Sequence, residues 1–194
     1  MDSNGYDHQA TYPSRIFIVT MVEIRPAYNE DIKDIQQLLV ASWRHGYDGI
    51  IPEEKLRNLT TDPTEFYPEE RFDKKRTDSE LIYLVGAIEG KVVGIVNVCS
   101  GSHNTQEFVP DNAVQIRSLY VHPDVWRDGV GTQLVTNSLQ HVDGYPTVVV
   151  ECLEMNCRGR KFYSSLEFKE YDSRTIDLYG QSLNTVILYQ QLDE

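Results

Sequence analysis

Apolar positions along this chain fall into short unbroken runs alternating with amphipathic stretches, and that alternation predicts its elements. Val22-Glu23-Ile24-Arg25 reads as a strand closed by Pro26. Asn29, Glu30 and Asp31 then make a helix start, after which Ile32, Ile35, Leu39 and Trp43 share one helical face. Pro52 opens a second, short helix to about Leu59, and residues 60–80 are charged and weakly periodic, a loop with one further helical piece. Leu81–Ile88 and Val92–Cys99 are β-rich runs joined by the hairpin signal Glu89-Gly90-Lys91, and a polar loop follows over Ser100–Asn112. Val114–Val121 reads as another strand, Thr147–Leu153 as a buried one and Asn156–Leu166 as a helix. Phe168–Leu178 and Asn184–Leu192 form a closing strand pair around Gly180. The order β-α-α-β-β-β-α-β-α-β-β gives an α/β domain with a mixed sheet, not the regular alternation of a doubly wound fold.

The most informative stretch is 114–132, where a strand runs through a turn into Gly129-Val130-Gly131, and Val130, Leu134, Val135, Leu139 and Val142 continue at helical spacing. The first amides of a helix have no intrahelical partner, and the macrodipole makes that end electropositive. Glycines there let an anionic group approach the amides closely. A pyrophosphate site and a plain glycine-initiated helix are both consistent with this stretch alone.

Composition narrows the field. A chain of 194 residues fits one domain, and 40% apolar with 25% charged residues is ordinary for a globular protein. The net charge of −12 is not ordinary. It argues against a phosphate-tracking nucleic-acid surface, disfavours anionic membranes and steers cationic partners favourably. Cys99, Cys152 and Cys157 have no metal-ligand spacing and the five histidines are scattered, so neither a metal site nor a disulfide framework is expected. The longest apolar run near the N-terminus, Ile16–Val19, is too short for a membrane span or leader, which points to the cytoplasm. Residues 1–20 are polar and aperiodic. They read as a flexible tail, with Met21 an alternative start and 21–194 as the folded domain.

Three blocks in order carry a resemblance. Leu119-Tyr120-Val121-His122-Pro123 leads into Gly129-Val130-Gly131; Asn156 is followed by Phe162-Tyr163; and Ala41-Ser42-Trp43-Arg44 precedes Tyr47, Gly49 and Pro52. Together they resemble the GNAT superfamily of acyl-CoA-dependent N-acyltransferases, over about Val22 to Leu192. The resemblance implies a single domain with a largely antiparallel mixed sheet, splayed between its fourth and fifth strands and flanked by helices. It also implies acetyl-CoA as acyl donor and an amine acceptor, either a small molecule or a protein N-terminus or lysine.

By the same resemblance, the backbones of Leu119 and Val121 hold the pantetheine arm and the thioester carbonyl, and Tyr120 between them belongs to the cofactor site. The loop Trp126-Arg127-Asp128-Gly129-Val130-Gly131-Thr132 holds the pyrophosphate, and Asn156 bonds the cofactor arm. Tyr163 protonates the departing thiolate, while Trp43 and Tyr47 border the acceptor. Each has a plainer alternative: core strand for Leu119 and Val121, helix N-cap for Asn156, core aromatic for Trp43 and Tyr163.

Some positions depart from the family pattern. Trp126 stands in the first loop slot where the family has Arg or Gln, Gly159 where it has a small Ala, and Glu167 where it has Gly, so the turn at Glu167 is expected to differ. Gln115 stands where some relatives place a glutamate base, which leaves Asp48, His45 and Glu80 as unranked candidates. Transfer is expected by direct attack, with no covalent enzyme intermediate. A catalytically inactive CoA-binding module is the alternative. A homodimer is compatible with the sequence.

Overall fold

The computed structural model describes residues 21–59, 78–102 and 104–192. The N-terminal tail and the further helical piece expected within 60–80 fall largely outside these residues. Strands β1 (Glu23–Pro26), β2 (Leu81–Ile88), β3 (Lys91–Cys99), β4 (Ala113–Val121), β5 (Thr147–Leu153), β6 (Lys169–Leu178) and β7 (Gln181–Gln191) form one sheet in the order β1-β2-β3-β4-β5-β7-β6. Only β4 and β5 run parallel; the other neighbours are antiparallel. The described helices are α1 (Ile32–Gly46), α2 (Glu53–Arg57), α3 (Val130–Leu139) and α4 (Cys157–Ser165). The element order is the one that hydrophobic periodicity predicts.

The strands sort their side chains by alternation. Val114, Ile116, Val148, Val150 and Cys152 join Leu134 and Tyr163 in the core beneath α3 and α4. On the opposite face Ile35, Leu38 and Leu39 of α1 pack on Tyr83, Val85, Val92 and Ile95. Helix α3 lies very close to β3. A Cβ at Gly94 would stand 2.7 Å from Leu134 Cδ1 and 3.0 Å from Val130 Cγ1, so only glycine lets the helix settle at this depth.

Strand register opens the sheet at its centre. Pairing of β4 with β5 begins at Ala113–Thr147 and ends at Ile116–Val150. The β3–β4 ladder shifts between Asn97 and Val98, leaving Arg117 as a bulge, and then continues to Val121. The second half of β4 is therefore paired on one side only, and the two central strands part as a fork.

The start of α1 is fixed by an ion pair. A turn of 3-10 helix, Asn29–Asp31, leads into it, and both Asp31 oxygens accept from Arg25 of β1 at 2.7 Å, while Oδ2 also accepts from the Tyr28 amide at 2.8 Å. Burial pushes the Asp31 carboxyl up. The Arg25 hydrogen bonds, the Tyr28 amide and the guanidinium charge outweigh burial and hold it below its ordinary 3.8. A carboxyl depressed on folding adds stability above its unfolded pKa and loses it as pH falls through the folded one. Asp31→Asn is therefore expected to lower stability at pH 7 by roughly 1–3 kcal/mol. The deficit should shrink steadily below about pH 4, read from urea melts across pH.

Candidate functional site

The fork opens onto a cleft of about 1060 Å³. His122 N donates to Val93 O at 2.8 Å, and antiparallel pairs alternate between bonded and non-bonded, so Tyr120 and Ser118 spend their backbone groups on β3. Leu119 and Val121 must turn theirs the other way, into the cleft. Their side chains pack on the core beneath α3 and α4, so the core-strand reading and an available backbone edge coexist. The Val121 carbonyl is already engaged. It accepts from Ser42 Oγ at 2.9 Å and from Trp126 Nε1 at 2.7 Å. What remains open on this edge is the Leu119 N–H and C=O and the Val121 N–H.

Trp126 is thus a structural strut between the glycine loop and the strand. Its ring also carries the Arg158 guanidinium, 3.7 Å from the centroid, which brings a cation to the slot where the family has its own basic or amide residue. Arg127 takes φ 75°, an unfavourable left-handed conformation for a non-glycine residue. The two loop glycines serve different needs. Gly129 has φ 82°, and an added Cβ would meet only Gln133 Nε2 at an ordinary 3.9 Å, so glycine is a backbone requirement at the start of α3. Gly131 lies against Phe162, whose ring would be 3.1 Å from an added Cβ. The sequence offered ligand approach or a helix start for these glycines, and Gly131 is in addition a packing residue between α3 and α4.

Helix α4 delivers two further candidates. Asn156 Oδ1 caps the helix by accepting from the Gly159 amide at 2.9 Å. This leaves Nδ2 as the group that can serve the cleft. Gly159 is there because a Cβ would stand 2.8 Å from Asn156 Nδ2 and 3.0 Å from Cys152 Sγ, a close approach that composition does not reveal. At the other end, Phe168 N donates to Tyr163 O and Glu167 N to Ser164 O, both at 3.1 Å, which is a Schellman closure. The Tyr163 and Phe168 rings meet at 5.3 Å across it. Glu167 takes φ 66°, so the expected difference in this turn does not occur: glutamate adopts the left-handed conformation that glycine would take.

Tyr163 is 7% exposed and lines the cleft. Burial, with Cys152 and Tyr120 nearby, drives its phenol well above the ordinary 10.0. Burial likewise pushes the Cys152 thiol up to about 11. Tyr47 is raised in the same way, chiefly by burial and secondarily by Tyr120. Trp43 meets Tyr47 edge-on at 5.0 Å and Tyr120 at 6.4 Å; it is half-buried in the cleft and outside the α1 core cluster.

Every nominated site residue lines this cleft except Asp128. None of Asp48, His45 and Glu80 does. Gln115 is 1% exposed, with its amide locked to Gln106: Oε1 accepts from Gln106 N at 3.0 Å and Nε2 donates to Gln106 Oε1. Sequence reasoning missed Arg117, Arg158, Lys161 and Glu151 as cleft residues. A signal existed for two of them, the basic run Arg158–Lys161 in a strongly acidic chain.

The Acetyltransferase (GNAT) family model matches residues 48–168. The chain belongs to that family. The match takes in the strand β4, the glycine loop and α4 through the Schellman turn. A curated relative, the uncharacterized N-acetyltransferase YuaI of Bacillus subtilis, is 29% identical over 140 residues, covering 70% of this chain and 74% of its own. Among solved structures, PaiA N-acetyltransferase of Thermoplasma acidophilum, in complex with coenzyme A, superposes with a TM-score of 0.68 at 19% identity, covering 89% of this chain and 99% of its own. YncA of Salmonella typhimurium, solved with its cofactor acetyl-CoA, gives 0.61 at 22%, covering 89% and 95%. These two likenesses speak for the GNAT fold. Among the described residues no His, Cys, Asp and Glu group could hold a metal, and no helix is long and apolar enough to cross a membrane.

Two substitutions separate packing from propensity in α4. Gly159→Ala should gain about 1 kcal/mol on helix propensity alone. The clash with Asn156 and Cys152 predicts instead a net loss of roughly 1–3 kcal/mol. Glu167→Gly should raise stability by about 1 kcal/mol by relieving the left-handed strain. Thermal and urea melts check both.

Proposed function

We propose that this protein is an N-acetyltransferase that moves an acetyl group from acetyl-CoA to a primary amine by direct attack. The observation that carries this reading is the half-paired strand: Leu119 and Val121 turn backbone groups into a fork that ends at the glycine loop. A pantetheine arm carries amides of its own and fits such an edge as an added strand. The first amides of α3 and the cations Arg127 and Arg158 suit the phosphates at the far end. Acetyl-CoA, once bound, supplies the activated acyl carbon.

The chain's own residues supply the rest. In this reading the Leu119 N–H holds the thioester oxygen, where an amide donor gains most as charge develops. Tyr163, kept protonated by burial, donates its phenolic proton to the departing sulfur, and the proton that the amine gives up on attack restores the phenol. Cys152, with its thiol raised to about 11, is unionised near neutral pH, which argues for attack by the amine itself and against an acyl-cysteine. The passage through the fork brings Tyr163, from one face of the sheet, near Tyr47 and Tyr120 on the other, so donor and acceptor meet where the strands part.

Acetyl-CoA should raise the melting temperature by mass action, while NAD and ATP do little. A shift with NAD and none with acetyl-CoA would sink the assignment. Tyr163→Phe should keep acetyl-CoA affinity and lower kcat by about 10- to 100-fold, at or below the low end of general-acid help. With the phenol pKa raised on folding, no loss of turnover assignable to Tyr163 ionisation should occur up to about pH 10. Parent turnover in the phenylalanine variant would make Tyr163 a packing residue.

A further inference from the structure

The bulge in β4 sets a cation at the vertex of the fork. Ile116, Leu119 and Val121 pack toward α3 and α4, whereas Tyr120 packs on the α1 side. Strand alternation therefore puts Ser118 on the α1 face with Tyr120, and Arg117, next to Ile116, on that face as well. Two consecutive side chains share a face because the bulge sets both opposite one residue of β3, Asn97. Asn97 lies between Val96 and Val98, which face the core under α3 and α4, so it too is on the α1 face.

Three donor groups meet here without protein acceptors. Arg117 is exposed and lines the cleft with Ser118. Among the described residues, neither the Arg117 guanidinium nor the Ser118 hydroxyl has a hydrogen-bond or ion-pair partner. Asn97 is 3% exposed, and its Nδ2 is buried with no partner at all, a costly state for a donor. The other polar groups nearby are engaged. Both ends of the Gln115 amide are held by Gln106. Glu151 shares the face, since Val150 and Cys152 on either side of it point into the opposite core. Its carboxylate accepts from Thr185 at 2.7 Å, pairs with Arg174 at 3.2 Å and meets the Gln106 amide at 3.4 Å. The Glu151–Arg174 pair cancels itself, which leaves Arg117 as the uncompensated charge on this side of the described lining. Arg127, Arg158 and Lys161 belong to the glycine loop and α4. Arg117 stands four residues of strand, roughly 13 Å, before the Val121 end of β4 that leads to that loop.

We propose that Arg117, Ser118 and Asn97 form a carboxylate seat, and that the acceptor is an amine bearing its own carboxylate, of the amino-acid type. The inference rests on the acetyltransferase reading and names the acceptor class for that cleft. The guanidinium supplies charge and a planar fork that matches the two oxygens of a carboxylate. Ser118 donates to the same group and accepts from Asn97 Nδ2, which gives the orphaned amide its partner. A phosphate dianion calls for a second cation, and the described lining offers none on this face. A seated carboxylate keeps the amine of the same molecule close to Leu119, two residues along β4, where the thioester is proposed to lie. An amino acid is a zwitterion, so the chain's net charge of −12 does not repel it as a whole.

The test reads free CoA release from acetyl-CoA with three sets of probes: the protein L-amino acids, the amines that match them without the carboxylate (phenethylamine for phenylalanine, tyramine for tyrosine), and phosphoethanolamine. Acetyl-CoA affinity is measured separately by calorimetry. The parent protein should turn over at least one amino acid with a kcat/KM about tenfold or more above that of its matched amine. Arg117→Gln should cut this ratio roughly 10- to 100-fold, chiefly through KM, with acetyl-CoA affinity unchanged, and Arg117→Lys should restore part of it. Arg174→Gln, on the same face but paired with Glu151, should leave the ratio within about threefold of the parent. Asn97→Leu should lower the ratio while the melting temperature holds, because the amide it removes had no partner. A ratio unmoved in Arg117→Gln, a preference for the bare amines or for phosphoethanolamine, or no amino acid turned over by protein that binds acetyl-CoA would each overturn the proposal. So would a fall in melting temperature with an unmoved ratio in Asn97→Leu, which would make Asn97 a structural residue. Failure of the parent protein to bind acetyl-CoA would instead bring down the acetyltransferase reading on which the inference stands.

Discussion

The site depends on a strand that is paired on both sides only at Gln115 and Ile116 and on one side thereafter. β4 and β5 part after Ile116–Val150, at the bulge that leaves Arg117 without a ladder partner. An unpaired strand edge inside a protein is a liability, because buried N–H and C=O groups left without partners are destabilising by about 1–3 kcal/mol each. Here the same edge is the functional surface. The Leu119 and Val121 groups can be satisfied by a ligand that carries amides of its own, and Tyr47, just past α1, comes near Tyr163 of α4 because the strands have separated.

The remaining devices hold that opening in shape. Ser42 and Trp126 both donate to the Val121 carbonyl, tying α1 and the glycine loop to the far end of the open edge. Gly94 lets α3 sink onto β3 and Gly131 lets it meet Phe162, so the loop amides are fixed relative to β4. The Schellman closure through Glu167 and Phe168 pins Tyr163 from below. Two non-glycine residues in this set, Arg127 and Glu167, carry left-handed backbones. Strain of that kind, roughly 1–3 kcal/mol each, persists where surrounding packing over-determines the geometry.

Periodicity made the elements and their order legible, since the runs at 81–88, 92–99, 114–121 and 147–153 are bounded by clear turn chemistry. The glycine loop and the Asn156…Tyr163 spacing were legible too, as motifs with a mechanism. Other features were hidden because they are three-dimensional. Glu151 sits inside an apolar run, Val148 to Leu153, and reads as one polar interruption until the sheet's alternation assigns it a face. Arg158 acquires a place only through the ring of Trp126, distant in the chain. Gly159 looked like a defect in helix propensity, and Cys152, across the gap in space, supplies the reason for it. Glu167 looked like a different turn; the backbone kept the same turn and absorbed the strain.

If the half-paired strand is what holds the ligand, the free edge of β4 and the first amides of α3 form one continuous binding surface. Amide hydrogen exchange, resolved at single residues with and without acetyl-CoA, tests this most directly. Acetyl-CoA should slow exchange at Leu119 and Val121 together with the amides of 129–132, while Tyr120, already bonded to β3, changes little. Protection of the α3 amides with Leu119 and Val121 left at their free rates would contradict it: the ligand would then be held by the loop, and the open strand edge would have no part in binding.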